Sequence, residues 1–125
     1  MSHRSSLIAG ILFALLAVAL GAFGAHALKS TLVAHGRQET YELAVRYQFF
    51  HAFALMACGV LMKLNYGNGL RAAAVCFVAG ITIFSGSLYV LSLTGITVLG
   101  AITPIGGVGF LTGWILMLVS VYKSN

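Results

Sequence analysis

The stretch Leu7–Leu28 reads LIAGILFALLAVALGAFGAHAL and holds no charged residue. At about 1.5 Å per residue a helix over this run is about 33 Å long, enough to cross roughly 30 Å of hydrocarbon. Working outward along the chain, three further runs meet the same requirement: Leu43–Met62, Ala72–Thr94 and Leu99–Tyr122. All four are continuous apolar runs without the alternation of a transmembrane strand, so helices are expected and a β-barrel is not. The expected fold is all-α, a compact bundle of four transmembrane helices forming a single domain over residues 1–125.

Composition agrees. Of 125 residues, nine are charged, and 60% are hydrophobic, against about 45–50% in a typical soluble domain. So few charges cannot cover a soluble body of this size. The net charge of +5 comes from single, scattered Lys and Arg residues with no basic stripe, which excludes nucleic acid as a partner. Cys58 and Cys76 stand apart inside apolar runs, so neither a disulfide framework nor a CxxC motif exists; both read as packing residues. Ala25-His26-Ala27 would suit a leader cleavage site, but the apolar run before it is longer than a leader core and rich in packing residues. It reads as a retained span.

Connections and direction follow from the charges. Lys29–Glu42 carries four of the nine charges and is expected to be the one substantial loop. Lys63–Arg71, with Asn65, Gly67, Asn68 and Gly69, is a turn. The fourth helix begins either at Leu99 or at Pro104, with Thr103 placed to cap it and Gly95–Thr103 then lying at the interface. Four spans put both termini on the side of Arg4, Lys63, Arg71 and Lys123, against Lys29 and Arg37, and Arg46 at the edge, on the other. Excess Lys and Arg mark the cytoplasmic face, so cytoplasmic termini in a bacterial inner membrane are expected.

Association of helices in lipid depends on close backbone approach and polar contacts. Gly10, Ala14, Ala17, Gly21, Gly24 and Ala25 offer small residues along the first span, and Gly106, Gly109 and Gly113 do so along the fourth. Gly106-Gly107-Val108-Gly109 is not a phosphate loop, having neither a preceding strand nor a nearby Lys. Ionisable and polar residues within spans are costly and therefore informative. They gather toward the outer half: His26, Glu42, Arg46, Tyr47, Gln48, His51, Ser85, Ser87, Tyr89 and Thr103. Glu42 and Arg46 are spaced for an ion pair; Tyr47, His51 and Cys58 share the opposite face. Helical rise separates His26 from His51 by about 10 Å in depth, too far for one metal. His3 and His35 read as solvated.

Four strings recur together: Gly21-Ala22-Phe23-Gly24-Ala25-His26-Ala27-Leu28, Tyr47-Gln48-Phe49-Phe50-His51-Ala52, Phe84-Ser85-Gly86-Ser87-Leu88-Tyr89, and Thr103-Pro104-Ile105-Gly106-Gly107 followed by Gly113-Trp114. In this order the chain resembles a small membrane-protein family of unknown function that includes bacterial YgdD and vertebrate transmembrane protein 256. The resemblance implies a four-helix inner-membrane protein and brings no catalytic residue, cofactor or metal. The expected role is non-enzymatic, with the polar cluster packing helices and binding a lipid, a small ligand or a partner protein. An oligomeric transporter or channel component is the alternative, and an accessory that holds a metal or haem through its histidines a third.

Overall fold

In the computed structural model, which describes residues 1–124, most of the described chain is helical. The elements are α1 (His3–Ala25), α2 (Lys29–Ala34), α3 (Gln38–Lys63), α4 (Leu70–Gly80), a π-helical turn (Ile81–Ser85), α5 (Gly86–Thr94), a 3-10 turn (Thr97–Ala101) and α6 (Thr103–Lys123). They form four stretches long and apolar enough to cross a membrane: His3–Ala25, Gln38–Lys63, Leu70–Thr94 and Thr97–Lys123. The fold is an all-α membrane bundle.

Several boundaries differ from the sequence reading. The expected loop Lys29–Glu42 is mostly helix. Leu32 is fully buried and anchors the short α2, and α3 begins at Gln38, five residues before the apolar run starts. Its first turns carry Glu39 and Glu42, where carboxylates favour the positive end of the helix dipole. The third span is continuous in length but changes winding at Ile81–Ser85. At the fourth span the later start holds: α6 opens at Thr103 with Pro104 in its first turn, where a missing N–H is harmless. Gly95 ends α5 at φ 75°, a left-handed conformation suited to glycine. Thr103 does not cap α6, which has no side-chain cap.

Packing is serial. α1 lies along α3, α3 along the broken third span, and α6 along α4 and the π turn; α3 and α6 do not pack backbone to backbone. Glycine sets the close approach of α1 to α3 and of α6 to the third span. On the α1–α3 seam, a Cβ at Gly10 would lie 2.6 Å from Met56 Cγ and 2.7 Å from the Ala52 carbonyl oxygen, and one at Gly24 would strike the Tyr41 ring. Gly21 is looser, with Val45 at 3.5 Å. On the other seam Gly106 abuts the Phe84 backbone, Gly109 faces the Cys76 carbonyl and Gly80, and Gly113 faces the Phe77 ring. The main apolar core includes Leu55, Cys58, Phe77, Ile81 and Phe110.

Candidate functional site

The polar residues of the spans are joined to one another and to backbone carbonyls of neighbouring helices. Gln48, 3% exposed, donates from Nε2 to the Phe13 carbonyl of α1 at 2.8 Å and accepts the Tyr89 hydroxyl of α5 on Oε1 at 2.7 Å. One side chain thus ties three spans together. Ser85, from the π turn, donates to the Ala44 carbonyl at 2.7 Å. Ser87 and Thr103 share a hydroxyl–hydroxyl bond of 2.6 Å that fixes the start of α6 against α5. Each carbonyl has two lone pairs, so it accepts such a bond without losing its helical N–H partner. A donor left alone in hydrocarbon would cost several kcal/mol. Among the described residues no buried side-chain nitrogen or oxygen lacks a partner.

His51, 5% exposed, lies at the centre of an aromatic group. Its ring stacks on Phe110 at 3.5 Å between centroids and 9° between planes. Its Nδ1 is 2.7 Å from the Tyr47 carbonyl, and its Nε2 is 3.0 Å from the Trp114 indole nitrogen. Indole N–H can only donate. Nε2 therefore accepts, and the single ring proton sits on Nδ1, donated to Tyr47. This arrangement requires a neutral imidazole with both nitrogens engaged, since a proton on Nε2 would face the indole proton. Tyr47 stacks on Phe84 of the π turn at 4.8 Å, tying α3 to the third span beside the gap between α3 and α6.

That gap is a groove of about 600 Å³, lined by Tyr47, Phe50, His51, Phe84, Pro104, Gly107, Val108, Phe110, Leu111 and Trp114. It exists because α3 and α6 both pack on the third span and are held apart by the rings between them. Its outer rim carries Phe50, Val108 and Leu111, all more than half exposed.

Not every residue of the expected cluster takes part. Glu42 and Arg46 pair at 3.6 Å, but both are solvent-accessible on the outer face of α3, where such a pair contributes about 0–1 kcal/mol. His26 is exposed at the end of α1, its backbone N–H closing the helix onto Ala22 and Phe23. No three metal-ligating side chains come together among the described residues. Conversely, four participants escape sequence reasoning. Tyr41 donates its hydroxyl to the Leu20 carbonyl and meets Tyr89 edge-on at 5.2 Å. Ser6 donates to Leu55 at 2.6 Å. Trp114 completes His51. His35, exposed as expected, also has Nδ1 3.1 Å from the Ser92 carbonyl. Three of the four link residues more than 40 positions apart, so no local spacing marks them.

Comparison with known proteins places this geometry in a family. Residues 20–107 match the family described as "Protein of unknown function (DUF423)". The membrane protein SAB0533 of Staphylococcus aureus is 46% identical over 117 residues, covering 94% of each chain. YwdK of Bacillus subtilis is 44% identical over 118 residues, 94% of this chain and 95% of its own. The inner membrane protein YgdD of Escherichia coli K12 is 37% identical over 123 residues, 98% of this chain and 93% of its own. All three bear the designation UPF0382. No solved structure matches. The hydrogen-bonded serines and glutamine and the stacked rings described above thus belong to a member of the DUF423 family of small membrane proteins.

Proposed function

We propose that the protein is a non-enzymatic component of a bacterial inner membrane, with cytoplasmic termini, in which the polar cluster fastens the helices and the aromatic groove between α3 and α6 holds a lipid acyl chain. The engagement of the polar groups carries the first half of this reading. His51, Gln48, Ser85, Ser87, Tyr89 and Thr103 are each bonded to another part of the protein, leaving none of them poised as an acid, base or nucleophile. The groove supports the second half. Tyr47 is nine residues into α3 and His51 thirteen, about 14 and 20 Å from the helix start at 1.5 Å per residue. At that depth the surrounding medium is hydrocarbon, and a concave wall of fixed rings offers a chain more contact than a convex helix face.

The test is photo-crosslinking with a phospholipid carrying a photoactivatable group near the middle of its acyl chain, in reconstituted bilayers. Labelling is expected to concentrate on residues 47–51 and 104–114. A Cβ at Gly107 meets nothing within 4 Å, so Gly107→Leu grows into the groove without displacing a neighbour and is expected to abolish most of that labelling. Labelling spread evenly over the outer face of α1, at Ile11, Leu15 and Val18, would refute the groove as a lipid site.

A further inference from the structure

A second concave site lies at the opposite end of the molecule, beyond the reach of the polar cluster. Ser2 and His3 at the start of α1, Met62 near the end of α3, the turn residues Asn65, Gly67 and Asn68, and Arg71 in the first turn of α4 surround a basin of about 460 Å³. We propose that this basin binds the headgroup of an anionic phospholipid, its phosphate facing Arg71 and its remaining oxygens meeting Asn65 and Asn68.

Four observations point to that chemistry. The first is charge. Arg4, Lys63, Arg71 and Lys123 are all at this end, while both carboxylates, Glu39 and Glu42, lie in the first turns of α3 at the other. The one ion pair among the described residues, Arg46–Glu42, is also at that far end. The second is helix direction: Ser2 and Ser5 cap the start of α1 and α3 ends beside the basin, whereas α4 starts here with no side-chain cap, so the start of α4 is the uncapped positive helix end at the basin. The third is preorganisation. Asn65 at φ 61° and Gly67 at φ 94° turn the chain sharply, and Gly67 lies so close to the end of α6 that a Cβ would come within 2.9 Å of the Ser120 carbonyl oxygen. The turn is thereby held against α6 before any ligand arrives.

The fourth observation selects a lipid over a free anion. Tyr66 and Tyr122 are exposed at this level, Tyr122 by 86%, and Leu64 by 60%. Exposed tyrosines beside apolar side chains mark headgroup depth in a membrane. A lipid placed there meets the basin with its phosphate and the bilayer with its tails, whereas inorganic phosphate gains only the former. Basic juxtamembrane residues add to the attraction for anionic lipid.

Native mass spectrometry of the intact protein, released from bilayers of phosphatidylcholine mixed with phosphatidylglycerol, reads the preference directly. The wild type is expected to retain phosphatidylglycerol selectively, Arg71→Gln to lower that selectivity about fivefold, and Arg37→Gln at the far end to leave it unchanged. Asn68→Leu, at an exposed turn position, is expected to lower it as well and keeps the test available should Arg71→Gln fold poorly. Equal effects of Arg71→Gln and Arg37→Gln would show diffuse charge attraction and overturn the site. Complete displacement of phosphatidylglycerol by millimolar inorganic phosphate would overturn the choice of a lipid.

Discussion

Replacing Gln48 by Leu removes the side chain that links α1, α3 and α5 while nearly preserving its volume. Two interhelical bonds disappear, to Phe13 at 2.8 Å and from Tyr89 at 2.7 Å. Such bonds average about 0.6 kcal/mol in membranes and reach about 1.7. The Phe13 carbonyl keeps its own helical N–H, but the Tyr89 hydroxyl is stranded at a further cost of about 1–3 kcal/mol. The sum is about 2–4 kcal/mol. Tyr89→Phe alone removes one bond and should cost about 1 kcal/mol. In the double variant no hydroxyl is stranded and the shared bond is lost only once, so its cost should fall short of the sum of the single costs by about 2–4 kcal/mol. Titration with sodium dodecyl sulfate from a milder detergent measures these differences. Trp114, the single tryptophan, reports the α3–α6 contact by fluorescence, and circular dichroism reports the helices. A Gln48→Leu cost below about 0.5 kcal/mol, with strict additivity in the double variant, would mean that the Gln48–Tyr89 bond is not formed in the membrane.

Other substitutions test the seams, the ion pair and the direction of insertion. Gly24→Ala and Gly113→Ala press a methyl into rings fixed on the neighbouring helix and should each cost about 1–3 kcal/mol in the same titration. Gly86→Ala, whose Cβ meets nothing within 4 Å, should be neutral or slightly stabilising. Glu42→Gln breaks only the exposed pair with Arg46 and should shift stability by less than about 0.5 kcal/mol. A green fluorescent protein fused after Asn125 should fluoresce and a fused alkaline phosphatase stay inactive; the reverse pattern contradicts cytoplasmic termini.

What could be read from the sequence was what a single helix decides for itself. Four apolar runs named the spans, Pro104 offered a start for α6, and the i, i+4 spacing of Glu42 and Arg46 foretold their pair. The π turn escaped because nothing local produces it: Ile81–Ser85 continues an apolar run, and the wider winding is found where Phe84 meets Gly106. α2 was hidden for a related reason. Its six residues mix polar and apolar side chains, and only Leu32, pressed into the fold, shows why the segment is held. His51 and Gln48 were visible as costly buried groups, yet their partners were not. Trp114 is 63 residues from His51, and Tyr89 is 41 from Gln48; such pairs depend on the relative rotation and depth of two helices. His26 lies one helix end from the cluster in sequence logic but on the exposed side of α1 in space.

The claim that the polar cluster fastens the fold and performs no proton chemistry rests most heavily on His51. Solid-state nitrogen NMR of ring-labelled histidine in bilayers, with the His51 signals assigned by comparison with His51→Gln, measures its protonation directly. The structure predicts one neutral species, with the proton on Nδ1 and Nε2 in the unprotonated, acceptor state, and with Nε2 close to the Trp114 indole proton in a through-space experiment. An imidazolium at neutral pH, or a neutral ring carrying its proton on Nε2, would contradict the account.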